Sequence, residues 1–195
     1  MSDVSNKIEF GLSNVYYAPI TGYDAEAKTY TYGAPKQFRG AVTLQLDAQG
    51  DDTTVYADNI AYFVAKTNDG YSGSIGMRTI PDEFRTDILG EKKDQNGLIV
   101  EDSDAQGTEF ALLFQFEGDA RGQRHALYRC AAGRPSIAGK TKEKSTEAYE
   151  YSIPLTSMPR ENDHVVKSKL ERTTETAVAY DAWFSSVKEP SFNAA

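Results

Sequence analysis

Apolar and polar side chains alternate in several stretches of this chain. Val42, Leu44 and Leu46 alternate with polar residues over 42–47, and apolar residues recur at every second position over 149–155. Side chains of a β-strand point to opposite faces in turn, so a period of two residues predicts strands with one buried face.

A third alternating stretch, residues 110–116, is apolar on both faces. Phe110, Leu112, Phe114 and Phe116 form one stripe, and Leu113 adds an apolar side chain on the other. A strand that is covered on both sides has this composition. We therefore expect residues 110–116 to form a central strand.

Turn signals separate these stretches. Residues 56–66 predict strand structure that is interrupted at Asp58-Asn59. Further turn signals are Asn68-Asp69-Gly70, Asn96-Gly97, Gly118-Asp119 and Gly133-Arg134-Pro135. Many short strands with frequent turns predict an all-β fold, a sandwich or a barrel.

Two segments have helical spacing instead. Residues 80–90 predict a short helix, because Pro81 suits its first turn, Gly90 suits its end, and Ile80, Phe84 and Ile88 share one face. Residues 177–187 place aromatic side chains at helical spacing before a proline. They predict either a second short helix or an extended arm with aromatic anchors.

Polar stretches predict loops within a single domain over residues 1–195. Residues 47–53 are expected to form an acidic loop between two strands, and residues 140–150 an exposed loop of mixed charge. No internal repeat or low-complexity linker divides the chain.

Composition narrows the classes of function. The formal net charge is −8, which argues against a surface that grips nucleic acid, because phosphate binding needs clustered Lys and Arg. The N-terminus lacks the pattern of a signal peptide, and no apolar stretch approaches the length of a membrane span. The single Cys130, in a strand-like run, is expected to be a buried thiol. We therefore expect a soluble protein made in a reducing cytoplasm, with no membrane partner.

Candidate catalytic and metal-binding residues do not form a recognisable set. His125 has no second His, Cys or carboxylate at ligand spacing, and His164 lies in a polar segment. The acidic residues over 47–58 lack the spacing of a calcium loop. We expect no enzyme, no cofactor and no metal, although a carboxylate pair for sugar hydrolysis stays open, since spatial separation decides it.

Four arginines form the most basic cluster, and inter-subunit ion pairs explain it better than phosphate contacts do. They are Arg121, Arg124, Arg129 and Arg134.

An ordered set of motifs spans residues 7–190. It comprises Ile8-Glu9-Phe10-Gly11-Leu12-Ser13-Asn14-Val15-Tyr16-Tyr17-Ala18, Tyr32-Gly33-Ala34-Pro35, Gly40-Ala41-Val42, Tyr56-Ala57-Asp58-Asn59, Asn68-Asp69-Gly70-Tyr71-Ser72-Gly73, Pro81-Asp82-Glu83-Phe84, Leu89-Gly90-Glu91, Phe110-Ala111-Leu112-Leu113-Phe114, Arg124-His125, Leu127-Tyr128 and Arg134-Pro135-Ser136. The set resembles the major tail tube protein family of long-tailed, non-contractile (siphovirus-type) bacteriophages. The match is weakest over residues 140–172.

The resemblance implies a two-sheet β-sandwich flanked by one helix. It also implies hexameric rings of this chain that stack into the tail tube of the virion, with DNA passing through the lumen without specific binding. The implied partners are further copies of the chain, a tape-measure protein, a tail terminator, and baseplate or distal tail proteins.

By the same resemblance, arms and one long loop carry the contacts between subunits. The N-terminal arm is expected over about residues 1–20, the loop over 47–56, and the C-terminal arm over about 178–195. The side chains expected at the self-assembly interface are Phe10, Val15, Tyr16, Tyr17, Asp51, Asp52, Tyr56, Arg124, Arg134, Trp183 and Phe184.

Two other classes of function stay open. A carbohydrate-binding β-sandwich module, from a phage baseplate or a surface lectin, would account for the many tyrosines and acids. Such modules use Trp platforms, and this chain has only Trp183. An enzyme with a carboxylate pair is the third class.

Overall fold

A computed structural model of the chain describes residues 10–137, 139, 141 and 149–191. Within this part the chain is all-β with two short helices, which confirms the predicted fold class. The strands are β1 (Leu12–Asp24), β2 (Thr29–Tyr32), β3 (Lys36–Gln37), β4 (Ala41–Gln49), β5 (Asp52–Ala57), β6 (Ile60–Lys66), β7 (Gly70–Met77), β8 (Lys92–Lys93), β9 (Ile99–Val100), β10 (Phe110–Phe116), β11 (Arg124–Ala132), β12 (Tyr151–Ser157) and β13 (Lys167–Leu170). The helices are α1 (Asp82–Asp87) and α2 (Ala177–Asp181).

One antiparallel sheet dominates the described residues. Nine strands belong to it, in the order β2-β1-β10-β11-β12-β7-β4, with β3 on β1 and β13 on β11. Strand β11 changes partner along its length, because residues 124–127 pair with β13 and residues 130–132 pair with β12. The two layers expected of a sandwich are therefore parts of one continuous sheet, which bends where β11 passes from one partner to the other.

The main core lies inside this bend. It joins the inner faces of β1, β10 and β11 to those of β7 and β12. Its buried members are Val15, Tyr17, Phe38, Ile75, Met77, Ile80, Phe84, Ile88, Phe110, Leu112, Phe114, Leu127, Cys130, Ile153 and Leu155. Leu113 faces the other way, into a second cluster with Ala126, Tyr128 and Trp183. Residues 110–116 are thus covered on both sides, as their composition predicted.

Helix α1 closes one side of the main core. Asp82 and Glu83 lie in its first turn, where carboxylates favour the positive end of the helix dipole. Phe84 is fully buried, and its ring stacks on Phe38 with the centroids 4.2 Å apart. The helix predicted over residues 80–90 is confirmed, and its aromatic contacts hold it on the sheet.

The segment between β4 and β7 is a β-hairpin rather than a loop. The acidic loop predicted over residues 47–53 is wrong, because only Gly50 and Asp51 lie between β4 and β5. The interruption predicted at Asp58-Asn59 is the hairpin turn, and both residues have positive φ, 51° and 60°. A two-residue loop with positive φ at both positions has the twist that suits antiparallel strands.

The expected N-terminal arm does not extend to residue 20. Residues 12–24 form β1, which pairs with β10 over Leu12 to Pro19. The structure therefore places residues 12–20 in the body of the sheet, and residues 1–9 lie outside its description. Most of the loop predicted over 140–150 also lies outside the described residues.

The Cys130 thiol is buried on β11, as expected. Burial in apolar surroundings raises its pKa to about 12, so it stays protonated at neutral pH. We expect a thiol-reactive chromogenic reagent to leave the native protein unmodified at pH 7.5 and to modify one thiol per chain in denaturant. Rapid modification of the native protein would contradict the burial.

No helix among the described residues is long and apolar enough to cross a membrane.

Candidate assembly surface

The hairpin formed by β5 and β6, residues 52–66, exposes an unusual amount of apolar surface. Six large apolar side chains on it are between 47% and 76% exposed. They are Val55, Tyr56, Ile60, Tyr62, Phe63 and Val64. Scattered exposed apolar residues are ordinary on a protein surface, but a contiguous set marks an interaction site.

Both faces of this hairpin are apolar. Val55 lies opposite Phe63, and residues directly opposite share a face of the hairpin. Thr54 lies opposite Val64 on the other face. Among the described residues, β5 and β6 pair only with each other. A two-stranded hairpin is marginally stable in water by itself, so this one is suited to pack on a partner.

Five of the side chains expected at the interface are exposed. Phe10 is 65% exposed and Tyr56 is 70% exposed. Asp51 and Asp52 lie at the base of the hairpin, where Asp52 forms an ion pair with Lys66 at 3.0 Å. Arg134 is exposed and pairs with Glu101 at 2.9 Å. The structure thus gathers three of them, Asp51, Asp52 and Tyr56, on or beside the hairpin.

Three of the expected interface residues are buried within the chain. Val15 and Tyr17 belong to the main core, and Trp183 is only 4% exposed in the second cluster. They cannot face another copy while this fold is kept, so their assignment to an interface is corrected. The sequence placed them outside the strands, whereas β1 includes the first two and the sheet covers the third.

The last three of the expected interface residues join the C-terminal segment to the sheet. They are Tyr16, Arg124 and Phe184. We call residues 177–191, which begin with α2, the C-terminal strap. Tyr16 of β1 stacks on Phe184 with the ring centroids 4.8 Å apart. Arg124 lies over the rings of Tyr180 and Phe184 and donates a hydrogen bond to the Tyr180 carbonyl at 2.5 Å. These contacts are intramolecular, and they resolve the alternatives for residues 177–187 as a short helix followed by a packed segment.

A buried arginine holds the far end of the strap, and the sequence offered no signal for it. Arg160 is 1% exposed and donates a hydrogen bond to Glu189 at 2.5 Å and another to Asp163. Its guanidinium also lies over the ring of Tyr128, 4.7 Å from the centroid. Burial opposes its charge, yet these hydrogen bonds hold its pKa above the ordinary value.

Two arginines of the cluster, Arg129 and Arg134, form ion pairs within the chain. Arg129 pairs with Glu109 at 2.8 Å and with Glu161 at 3.1 Å. Arg134 pairs with Glu101 of the same molecule. These contacts lie within one copy, and the inter-subunit pairs expected for the cluster stay a prediction.

A groove opens on the inner side of the bend, where β4 and β7 face β10, β11 and β13. Its volume is about 210 Å³. The lining is apolar and aromatic except at β13, and includes Leu44, Leu46, Tyr71, Phe116, His125 and Lys167. Lys167 Nζ lies 4.6 Å from the centre of the Tyr71 ring. His125 stacks on Phe114, which makes it part of the aromatic wall.

The chain was compared with known proteins. No protein-family model matches it, and no curated protein matches it. Among solved structures it is similar to the cap that terminates the tube of the anti-feeding prophage, solved by cryo-EM, with a TM-score of 0.38 and 8% identity over 88% of this chain and 97% of that one.

Proposed function

We propose that this protein is a non-enzymatic structural subunit of a phage tail. In this role its copies form hexameric rings that stack into the tail tube and line the channel for DNA delivery. The ordered sequence motifs support the family, and the β5–β6 hairpin supports self-assembly. The proposal concerns assembly rather than chemistry.

The observation that carries the proposal is the exposed apolar hairpin. Its strands expose aromatic and branched side chains on both faces, and its two outer edges lack strand partners within the described residues. Open edges and apolar faces promote association between chains. A subunit that works only in an assembly gains stability by burying this surface against its neighbours.

The charge balance suits the proposed channel. With a net charge of −8, the chain lacks the excess of cations that would hold the DNA backbone in place. Stacked rings make an open-ended contact, which continues until another protein stops it. Tube length would then depend on a tape-measure protein and a terminator, and attachment on baseplate or distal tail proteins.

Excision of the hairpin tests this proposal. Gln49 and Gly70 face each other across β4 and β7, so an Asn-Gly turn in place of residues 50–69 joins them directly. We expect the excised protein to fold, with its unfolding free energy changed by about 1 kcal/mol or less, since the cost of closing a loop varies slowly with its length. We expect it to remain monomeric where the wild type forms rings or tubes.

Light scattering and negative-stain electron microscopy over a concentration series measure the assembly, and circular dichroism checks the fold. Replacing the exposed Leu98 with Asp is the matched control, because it removes an apolar side chain that lies outside the hairpin and outside both arms. Assembly of the excised protein at wild-type concentrations would overturn the assignment of the hairpin. A glycan-array hit with no assembly of the wild type would favour the carbohydrate-binding alternative.

A further inference from the structure

We propose that the groove receives the β5–β6 hairpin of a second copy of this chain. This inference rests on the proposed function and deepens it, because it names the surface that accepts the hairpin. The groove and the hairpin are different surfaces of one molecule, so the contact is head-to-tail and each copy can both give and accept a hairpin.

The size and lining of the groove fit protein side chains. Sites for small molecules usually span about 300–1,000 Å³, and this groove of about 210 Å³ is smaller. Its walls include Tyr71, Phe114 and Phe116, and aromatic rings pack well against other rings. Tyr62 and Phe63 of the hairpin are 76% and 59% exposed, so aromatic side chains are available to fill it.

The charges around the two surfaces are opposite. Residues 51–66 carry three aspartates against one lysine. On β13, Lys167 lines the groove and Lys169 is exposed on the same face, since side chains of a strand alternate. Asp47 follows Leu46 on β4 but points to the opposite face. An acidic hairpin beside a basic rim is electrostatically complementary, which favours encounter and register.

The chain's own hairpin does not occupy the groove. Its apolar side chains remain exposed, and the residues that line the groove do not include any from the hairpin. The hairpin leaves the sheet at Gln49 and returns at Gly70, where β4 and β7 end. Within one copy both apolar surfaces thus remain open, and neighbouring copies can cover them, one at the groove and one at the hairpin.

Paired variants test the contact. Tyr62→Asp with Phe63→Asp disables the hairpin, and Leu46→Glu places a carboxylate in the groove. Gln45→Glu is the control for the groove, because it puts the same carboxylate one residue away on the exposed face of β4. We expect each disabled variant to stay monomeric and the Gln45→Glu protein to assemble like wild type. Mixing the two disabled variants is expected to give a 1:1 dimer of twice the 21.5 kDa chain mass and nothing larger.

A cysteine pair gives a second measurement, which detects the contact between two copies without requiring rings or tubes to form. Copies with Tyr62→Cys are mixed with copies with Leu46→Cys under mild oxidation, and the buried Cys130 contributes no background. We expect a disulfide between the two kinds of copy. Exclusive Tyr62→Cys homodimers would show a contact between hairpins instead and would overturn the inference.

Leu46 packs partly against the core, so the Leu46→Glu protein could fail to assemble because it is misfolded. A charge reversal on the exposed Lys167 and Lys169 tests the same contact without disturbing the core. Lys167→Glu with Lys169→Glu is expected to raise the concentration needed for assembly at least tenfold, and Asp51→Lys with Asp58→Lys in the same chain is expected to restore it. If the groove variants assemble normally while hairpin excision blocks assembly, the inference fails and the proposed function stands. If the wild type forms no assembly and no disulfide links the two cysteines, the inference and the proposed function both fail.

Discussion

Replacing Trp183 with alanine is expected to lower the free energy of unfolding by about 3–5 kcal/mol, the range for removing a large aromatic side chain from a packed site. The indole is 4% exposed and packs with Leu113, Ala126 and Tyr128. Removing it leaves a cavity on the outer face of the sheet and loosens the strap. Urea titration followed by circular dichroism measures the change.

Val178→Ala is the matched control for Trp183→Ala. Val178 lies in the same strap but is 85% exposed, so its loss is expected to change stability by about 0.5 kcal/mol or less. Limited proteolysis should then cleave the strap faster in the Trp183 variant than in the Val178 variant. Equal stabilities of the two would mean that the strap is not packed on the sheet.

Replacing Arg160 with methionine is expected to lower the free energy of unfolding by about 3 kcal/mol. Removing one partner of a buried ion pair typically costs 3–5 kcal/mol, because the remaining charge is left without compensation. The lower end applies here, since Asp163 and Glu189 are partly exposed at 28% and 48% and water can reach them. Chemical denaturation measures the loss, and hydrogen exchange over residues 185–191 reports whether the strap is released.

A double-mutant cycle separates the ion pair from the packing of the arginine stem. Glu189→Gln alone is expected to cost about 1 kcal/mol or less, because that carboxylate is half exposed. If Glu189→Gln costs as much in the Arg160→Met background as in the wild type, the two residues are not coupled. The contact between Arg160 and Glu189 would then not stabilise the strap.

The strands and helices were predictable because their signals are local. The alternation at Val42, Leu44 and Leu46 reports a strand with one buried face, and β4 has that pattern. The apolar run over residues 110–116 reports a strand that is covered on both sides, and β10 is one. Pro81 and Gly90 bracket α1 because each suits a particular backbone conformation at a helix end.

The nature of the acidic stretch was not predictable in the same way. Residues 47–53 are polar, which favours a loop, but hydrogen bonds across β4 and β7 extend the strand to Gln49. Pairing of β5 with β6 recruits Asp52 and Thr53 into a hairpin. Because strand pairing joins residues far apart in sequence, it can override local polarity.

The candidate interface shows the same division. Tyr56, Asp51 and Asp52 were expected there, and the structure places them on or beside an exposed hairpin. Val15, Tyr17 and Trp183 were expected there too, but they are buried. An apolar side chain packs equally well in a core or at an interface, so sequence pattern cannot separate the two.

The sequence by itself determined the all-β class, the main strands, the turn at Asp58-Asn59 and helix α1. These follow from side-chain alternation and backbone preferences, which act over a few residues. Only the tertiary structure decided that the sheet bends at β11, that Arg160 holds the strap, and that the groove and the hairpin both remain open. Each of these depends on contacts between residues distant in sequence, and burial is settled only when the whole sheet has formed.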